Sequence, residues 1–298
     1  MNDNPLVSIC TLTYNQQDFI MQTVESLLMQ QTTFPFEVVI SDDGSTDDTV
    51  NKIKKIMAEH PHGNRIKLLE HENMGVLPNY IYTFKHCKGK YIAFCEGDDY
   101  WTDPNKLQIQ ADFLEKNPQY SICFHQVRRI QDNEFISNNP SDLNEKDFTI
   151  NDLSKHPLMY TPSVMMNFSK LELPEWYIES PLFDYPLQLL VSKYGKIKYI
   201  PLNMADYRVG TGIWTTGSGL KNLDKQVKLM TLLMKEFAND NKLFETFSKR
   251  RSEYEQKITE HNVYLSIYLG KANLKKLSVR TCAKLLAQKI LSKIIKLS

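Results

Sequence analysis

Between Leu6 and Cys95 the chain repeats one pattern: a short apolar run, a polar cluster, then a segment with helical spacing. The runs Leu6–Leu12, Phe36–Ile40, Arg65–Leu69 and Lys90–Cys95 are rich in Val, Ile, Leu and Phe and read as buried strands. Between them, Phe19–Met29, the segment through Val50, Ile53 and Ile56, and Leu77–Cys87 place apolar residues on one helical face. Thr46 or Asp47 suits the N-cap of the second helix. Four such alternations predict an α/β fold with a parallel, doubly wound sheet covered on both faces. In such sheets ligands sit outside the carboxyl ends of the strands. Tyr14, Asp42, Asp43, Asn73, Gly75 and Asp98 all fall at those ends.

The fourth run enters Glu96-Gly97-Asp98-Asp99. Three acids so close repel one another unless one is protonated or a cation intervenes. Hard divalent cations prefer carboxylate oxygen, so Mg²⁺ or Mn²⁺ is the expected cofactor, held chiefly by Asp98 and serving to grip a diphosphate. Glu96 and Asp99 either orient a sugar or accept supporting hydrogen bonds. A solitary acidic doublet reads as a solvated turn; here it closes a buried strand and has a further acid two residues before it. Gly97 permits a turn that a side chain would obstruct.

Asp42-Asp43 ends the second strand, and one of the two suits the N3–H of a uracil while the other steadies the loop. Asp-Gly-Ser-Thr is also turn and cap chemistry in its own right. Tyr14, supported by Thr13 and Asn15, either stacks on a nucleobase or simply packs. Asn73-Met74-Gly75 offers backbone N–H groups to a phosphate. Asp184 opens a helix that runs through Leu187, Leu190 and Val191, so it reads as a cap or as a base for an acceptor hydroxyl, with the helix dipole favouring its ionised form. Tyr207, Arg208 and Trp214 lie in a Gly-rich stretch to 219 that reads as a mobile loop, with Arg208 matched to phosphate.

The 298 residues suffice for one large α/β domain with an appendage, and 42% hydrophobic with 24% charged content is ordinary for a globular chain. Residues 1–219 form the expected domain, split at 128 into a nucleotide-sugar half and an acceptor half with its loop; residues 220–298 form a helical C-terminal extension. Tyr120–Arg128, Tyr160–Phe168 and Lys196–Ile200 read as further strands around a polar surface stretch, 131–156. The five cysteines show no paired spacing, which argues against zinc. Net charge is +1, yet residues 271–298 carry eight Lys or Arg and no acid, leaving −7 on the remainder. Residues 282–298 read as a basic amphipathic helix for an anionic membrane surface, or as a helix packed on the core or in a homodimer. Without an aromatic residue the tail is a poor nucleic-acid site. The polar Met1-Asn2-Asp3-Asn4 start and the absence of a long apolar run lead to the expectation of a cytoplasmic protein, peripheral at the inner face of the plasma membrane.

As a set these residues resemble the family-2 glycosyltransferases of the GT-A fold. The matching segments are Val7-Ser8-Ile9 through Asn15, Val39 through Asp47, Asn73-x-Gly75 with Asn79, and Gly89-Lys90-Tyr91-Ile92 through Trp101. The likeness is dense over 6–128, thin over 129–219 and absent from 220 onward. It implies a Rossmann-like, mainly parallel sheet flanked by helices. It also implies inverting transfer of a sugar from a nucleotide-diphosphate donor, UDP-sugar favoured, to a hydroxyl of a glycan or lipid-linked glycan. By the same likeness Asp42 or Asp43 holds the base, Asp98 the metal, and Asp184 acts as base. Two departures are visible: Glu96 stands where the family has its first Asp, and Pro78 stands where an arginine often precedes Asn79. A nucleotidyltransferase would carry a Gly-rich loop after the first strand, which Leu12-Thr13-Tyr14-Asn15-Gln16 lacks. A catalytically silent nucleotide-sugar-binding or membrane scaffold is the non-enzymatic alternative, against which the acids at 42, 43, 98 and 184 argue.

Overall fold

The alternation is realised in the computed structural model, which describes residues 4–140, 144–211 and 219–268. The first half contains β1 (Val7–Thr13), α1 (Ile20–Leu28), β2 (Phe36–Asp42), α2 (Thr49–Glu59), β3 (Ile66–Glu70), α3 (Val76–Phe84) and β4 (Tyr91–Phe94). There follow β5 (Tyr100–Trp101), α4 (Lys106–Lys116), β6 (Tyr120–Gln131), β7 (Glu134–Asn139), β8 (Lys146–Phe148) and α5 (Ile150–Leu153). The chain continues through β9 (Met165–Asn167), α6 (Asp184–Val191), β10 (Lys196–Arg208), α7 (Gly219–Glu236) and α8 (Asn241–Tyr268).

All ten strands join one sheet with the spine β3-β2-β1-β4-β9-β6-β10-β5. β1 is central and wholly buried, and it pairs in parallel with β2 (Ile9 opposite Val38) and with β4 (Ile9 opposite Ala93). Side-chain alternation along β1 divides the core. Val7 and Ile9 face α1, α2 and α4, while Cys10 and Leu12 face α3, α6 and the last two helices. The block β3-β2-β1-β4 is parallel throughout. Beyond it the sheet is mixed: β9 runs antiparallel to both β4 and β6, β6 and β10 are parallel, and β5 runs antiparallel to β10.

Several boundaries differ from expectation, each for a local reason. Tyr160–Phe168 yields only the three-residue β9, because Thr161-Pro162-Ser163 winds into a 3-10 turn. Lys196–Ile200 grows to thirteen residues, and irregularities around Ile200–Ala205 bend β10 so that it continues along β6. Tyr207 and Arg208 therefore end a strand and do not belong to a loop; Trp214 lies outside the described residues, as does the 282–298 tail. The polar stretch 131–156 carries β7, β8 and α5. α2 starts at Thr49 with Asp48 at its N-cap, one residue beyond Asp47 and two beyond Thr46, the expected caps. The C-terminal helices are integral to the core: Leu229, Met230, Leu233, Phe237, Leu243 and Phe247 join α6 in one buried cluster. Among the described residues no helix is long and apolar enough to cross a membrane.

Candidate active site

β4 delivers the chain to an acidic turn at the carboxyl end of the sheet. Gly97 lies so close to the end of β1 that a Cβ there would stand 2.2 Å from Gln16 Oε1 and 2.9 Å from Thr13 Oγ1, so a side chain there would have to displace both. The turn is pinned by Gly97 N–H on the Leu12 carbonyl at 2.9 Å and by Thr23 Oγ1, 2.7 Å from the Asp99 carbonyl. Carboxylate oxygens of Glu96, Asp98 and Asp99 consequently lie within 4.8 Å of one another. Burial, then the charges of Asp98 and Asp184, raise the Glu96 carboxyl to about 8 despite the Tyr80 hydroxyl donating to it at 3.0 Å. Burial, then the charges of Asp98 and Glu96, hold Asp99 well above the usual carboxyl range. Its Oδ1 accepts the Arg208 N–H at 2.8 Å, while its buried Oδ2 has no partner among the described residues. Asp98, 6% exposed, accepts the Thr211 hydroxyl at 2.7 Å.

β10 reaches this turn because β5 pairs with it, setting Ala205 opposite Trp101. Arg208 is buried there between the rings of Phe19 and Tyr100, and its guanidinium donates to Gln22 and to the Asp98 carbonyl. The expected mobile phosphate clamp is thus a strand-end residue whose charge is already engaged in holding the acidic turn.

Asp184 is the first residue of α6, partly buried, and its Oδ1 accepts the Tyr185 N–H at 2.7 Å. The helix N-terminus was expected to favour its ionised form, but burial outweighs the N–H donors and raises it. Its charge helps to raise Glu96, and it lines one recess with Phe94 of β4. The next residue, Tyr185, donates its hydroxyl to the Leu153 carbonyl at 2.9 Å and accepts from buried Arg250 of α8. A half-open recess adjoins Asp184 between α6 and the β4–β9 pair.

On the other flank, Asp42 closes its own turn, accepting Ser45 N–H at 2.8 Å and the Ser45 hydroxyl. Asp43 accepts Met74 N–H at 2.8 Å and Gly75 N–H at 3.0 Å. The amides expected to face a phosphate are therefore spent on a carboxylate, and Gly75 takes φ +86°, a conformation suited to glycine. Each of these carboxylate oxygens retains capacity for a second donor. Tyr14 is 45% exposed just after β1, Asn73 is exposed just after β3, two strands away in the sheet order, and Thr13 Oγ1 is buried without a partner among the described residues. The structure thus gathers the predicted residues in two groups, Glu96, Asp98, Asp99, Arg208 and Asp184 in one and Thr13, Tyr14, Asp42, Asp43, Asn73 and Gly75 in the other. Sequence reasoning gave no role to His71, Tyr80 or Gln22. His71 lies 3.7 Å from Asp43 and 3.2 Å from Asn79 Oδ1, and its place just after a strand at the ligand edge was the available signal.

Residues 8–173 match the model of the family described as glycosyl transferase family 2. An uncharacterized protein of Mycobacterium tuberculosis is 35% identical over 212 residues, 70% of this chain and 60% of that protein. Chondroitin synthase of Escherichia coli is 31% identical over 202 residues, 66% of this chain and 28% of that enzyme. The chain therefore spans less than two thirds of these relatives. Staphylococcus aureus TarS residues 1–349, solved with UDP-GlcNAc, superposes with TM-score 0.63 at 18% identity, covering 83% of this chain and 71% of that one. The mannosyltransferase PcManGT of Pyrobaculum calidifontis, solved with GDP-Man and Mn²⁺, gives 0.57 at 14% identity, covering 97% and 81%. At those identities the two structures establish the GT-A-type fold.

Proposed function

The chain belongs to glycosyl transferase family 2, and on that premise we propose that it is a metal-dependent inverting glycosyltransferase. It moves a sugar from a nucleotide-diphosphate donor, UDP-sugar preferred, to a glycan hydroxyl in cell-surface polysaccharide or glycolipid synthesis. The carrying observation is the acidic turn facing Asp184 at the carboxyl edge of the sheet.

The residues present fit a divalent cation. Three carboxylates share one small volume, two are held far above their ordinary range by burial and mutual repulsion, and one buried oxygen lacks a donor. Hard oxygen ligands of this kind suit Mg²⁺ or Mn²⁺. Asp98 is assigned as the principal ligand, with Glu96 and Asp99 supporting it. When bound, the ion supplies Lewis-acid stabilisation to the charge that builds on a departing diphosphate.

The remaining roles belong to the protein. Tyr14 offers a stacking face to the base, Asp42 and Asp43 offer acceptors for its N–H, and the 73–75 loop and Thr13 shape the entry. Asp184 takes the acceptor proton; its raised pKa strengthens it as a base while leaving it ionised at sufficiently high pH. Arg208, through Asp98 and Asp99, keeps the acidic turn in place. Holding donor and acceptor together converts a bimolecular encounter into a local one, and a single displacement inverts the sugar.

Calorimetry with UDP, GDP and dTDP, with and without Mn²⁺, tests the donor site. The expected result is metal-dependent binding of one nucleotide, lost in Asp98→Asn. Binding that ignores metal, or no binding, overturns the assignment. Asp184→Ala should retain donor affinity and lose transfer by about 10²–10⁴-fold; full activity removes Asp184 from the mechanism.

A further inference from the structure

Gln188 follows Asp184 by one helical turn on α6, so the two side chains share a face. Gln188 is 2% exposed, and its Oε1 is enclosed without a hydrogen-bond partner among the described residues. A buried carbonyl oxygen without a donor is costly, and native proteins seldom keep one. Both residues line the recess beside the acidic turn, whose other walls include Phe94, Val164, Met166 and Leu187. Counted with the open space at its mouth, the recess holds about 190 Å³, and its enclosed end has room for about one water.

We propose that this recess receives the acetamido group of an N-acetylated sugar, with Gln188 as its specificity-determining residue. The inference rests on the glycosyl-transfer reading and names the class of sugar handled there. A methyl group covers the apolar end, and the amide N–H supplies the donor that Oε1 lacks. A secondary amide presents N–H and C=O side by side, so it matches a side-chain amide whichever way that amide is turned. A bare hydroxyl would satisfy the oxygen and leave the apolar walls uncovered. Because Asp184 and Gln188 are neighbours on one helix face, a sugar at Asp184 reaches Gln188 with a substituent of the same ring. That sugar is either the donor's or the acceptor's.

The test compares wild type with Gln188→Met, a near-isosteric change that removes the amide. UDP-N-acetylglucosamine and UDP-N-acetylgalactosamine are titrated against UDP-glucose and UDP-galactose in Mn²⁺. Methyl glycosides of the same four sugars are titrated with and without UDP. Wild type should prefer the acetamido member by about tenfold or more in one of the two sets, and Gln188→Met should lose that preference while binding UDP as before. Preference among nucleotide sugars assigns the group to the donor, and preference among glycosides assigns it to the acceptor. UDP binding with no preference in either set overturns the inference, the recess then holding a water, and leaves the proposed function standing. Absence of UDP binding overturns the UDP preference of that function, and the glycosides without nucleotide still decide the recess. Gln188→Met should unfold at or above the wild-type temperature; a clear drop marks the amide as structural and also overturns the inference.

Discussion

Glu96 shows what the acidic turn costs the free protein. Its carboxyl titrates at about 8 when folded and at about 4.3 in an unfolded chain. Between those values the native state holds a proton that the unfolded state has released, so stability falls as pH rises through that window. Without metal, the melting temperature should therefore decline from about pH 4.5 to about pH 8, and Glu96→Gln should flatten the decline. Mn²⁺ requires the ionised group, so its affinity should rise across the same range with proton release on binding. Melting curves taken in EDTA and in Mn²⁺ measure both effects. A wild-type slope that Glu96→Gln leaves intact would show that Glu96 is not the titrating group. The acids, the glycine between them and the exposed Tyr14 were legible in the sequence because each terminates an apolar run. Tyr80, which donates to Glu96, was hidden because a helix-face tyrosine looks like core until its partner is known.

At the scale of elements, α6, which carries Asp184, depends on segments beyond the family match. α6 shares one buried cluster with Leu229 and Leu233 of α7 and with Phe237 just after it, and Arg250 of α8 binds Tyr185 beside Asp184. Leu233 is fully buried, so Leu233→Ala should cost about 2–5 kcal/mol, read from urea unfolding; a loss near zero would mean that α7 is an appendage. The parallel block was readable since its strands are buried on both faces and separated by amphipathic helices of ordinary length. The second half was not. β9 has three residues, β10 changes course at irregularities that no residue type announces, and α7 packs by long-range contacts that periodicity cannot locate.

Across the whole molecule, one buried cation ties the two halves together. Lys106 of α4 is fully buried, donates to Gln110 at 2.7 Å and lies 3.9 Å from the centre of the Trp101 ring. Gln110 in turn donates to the Ser163 carbonyl at 2.9 Å, on the strap that leads into β9. No carboxylate pairs with Lys106 among the described residues, and burial lowers it to about 7. An unfolded lysine keeps its proton to about pH 10.4. From about pH 7 upward the unfolded state thus binds a proton that the native state does not, and this residue's contribution to stability rises by up to about 1.4 kcal/mol per pH unit. Buried Cys95 and Cys123, whose thiols are raised by burial, act in the opposite sense at alkaline pH, so the signal must be taken as a difference between proteins. Lys106→Met keeps the stem and removes the charge. Its melting temperature relative to wild type should be highest near pH 6–7 and should fall steadily towards pH 9. A difference independent of pH would mean that the native protein keeps Lys106 charged, with the Trp101 face and Gln110 compensating for the water it lost.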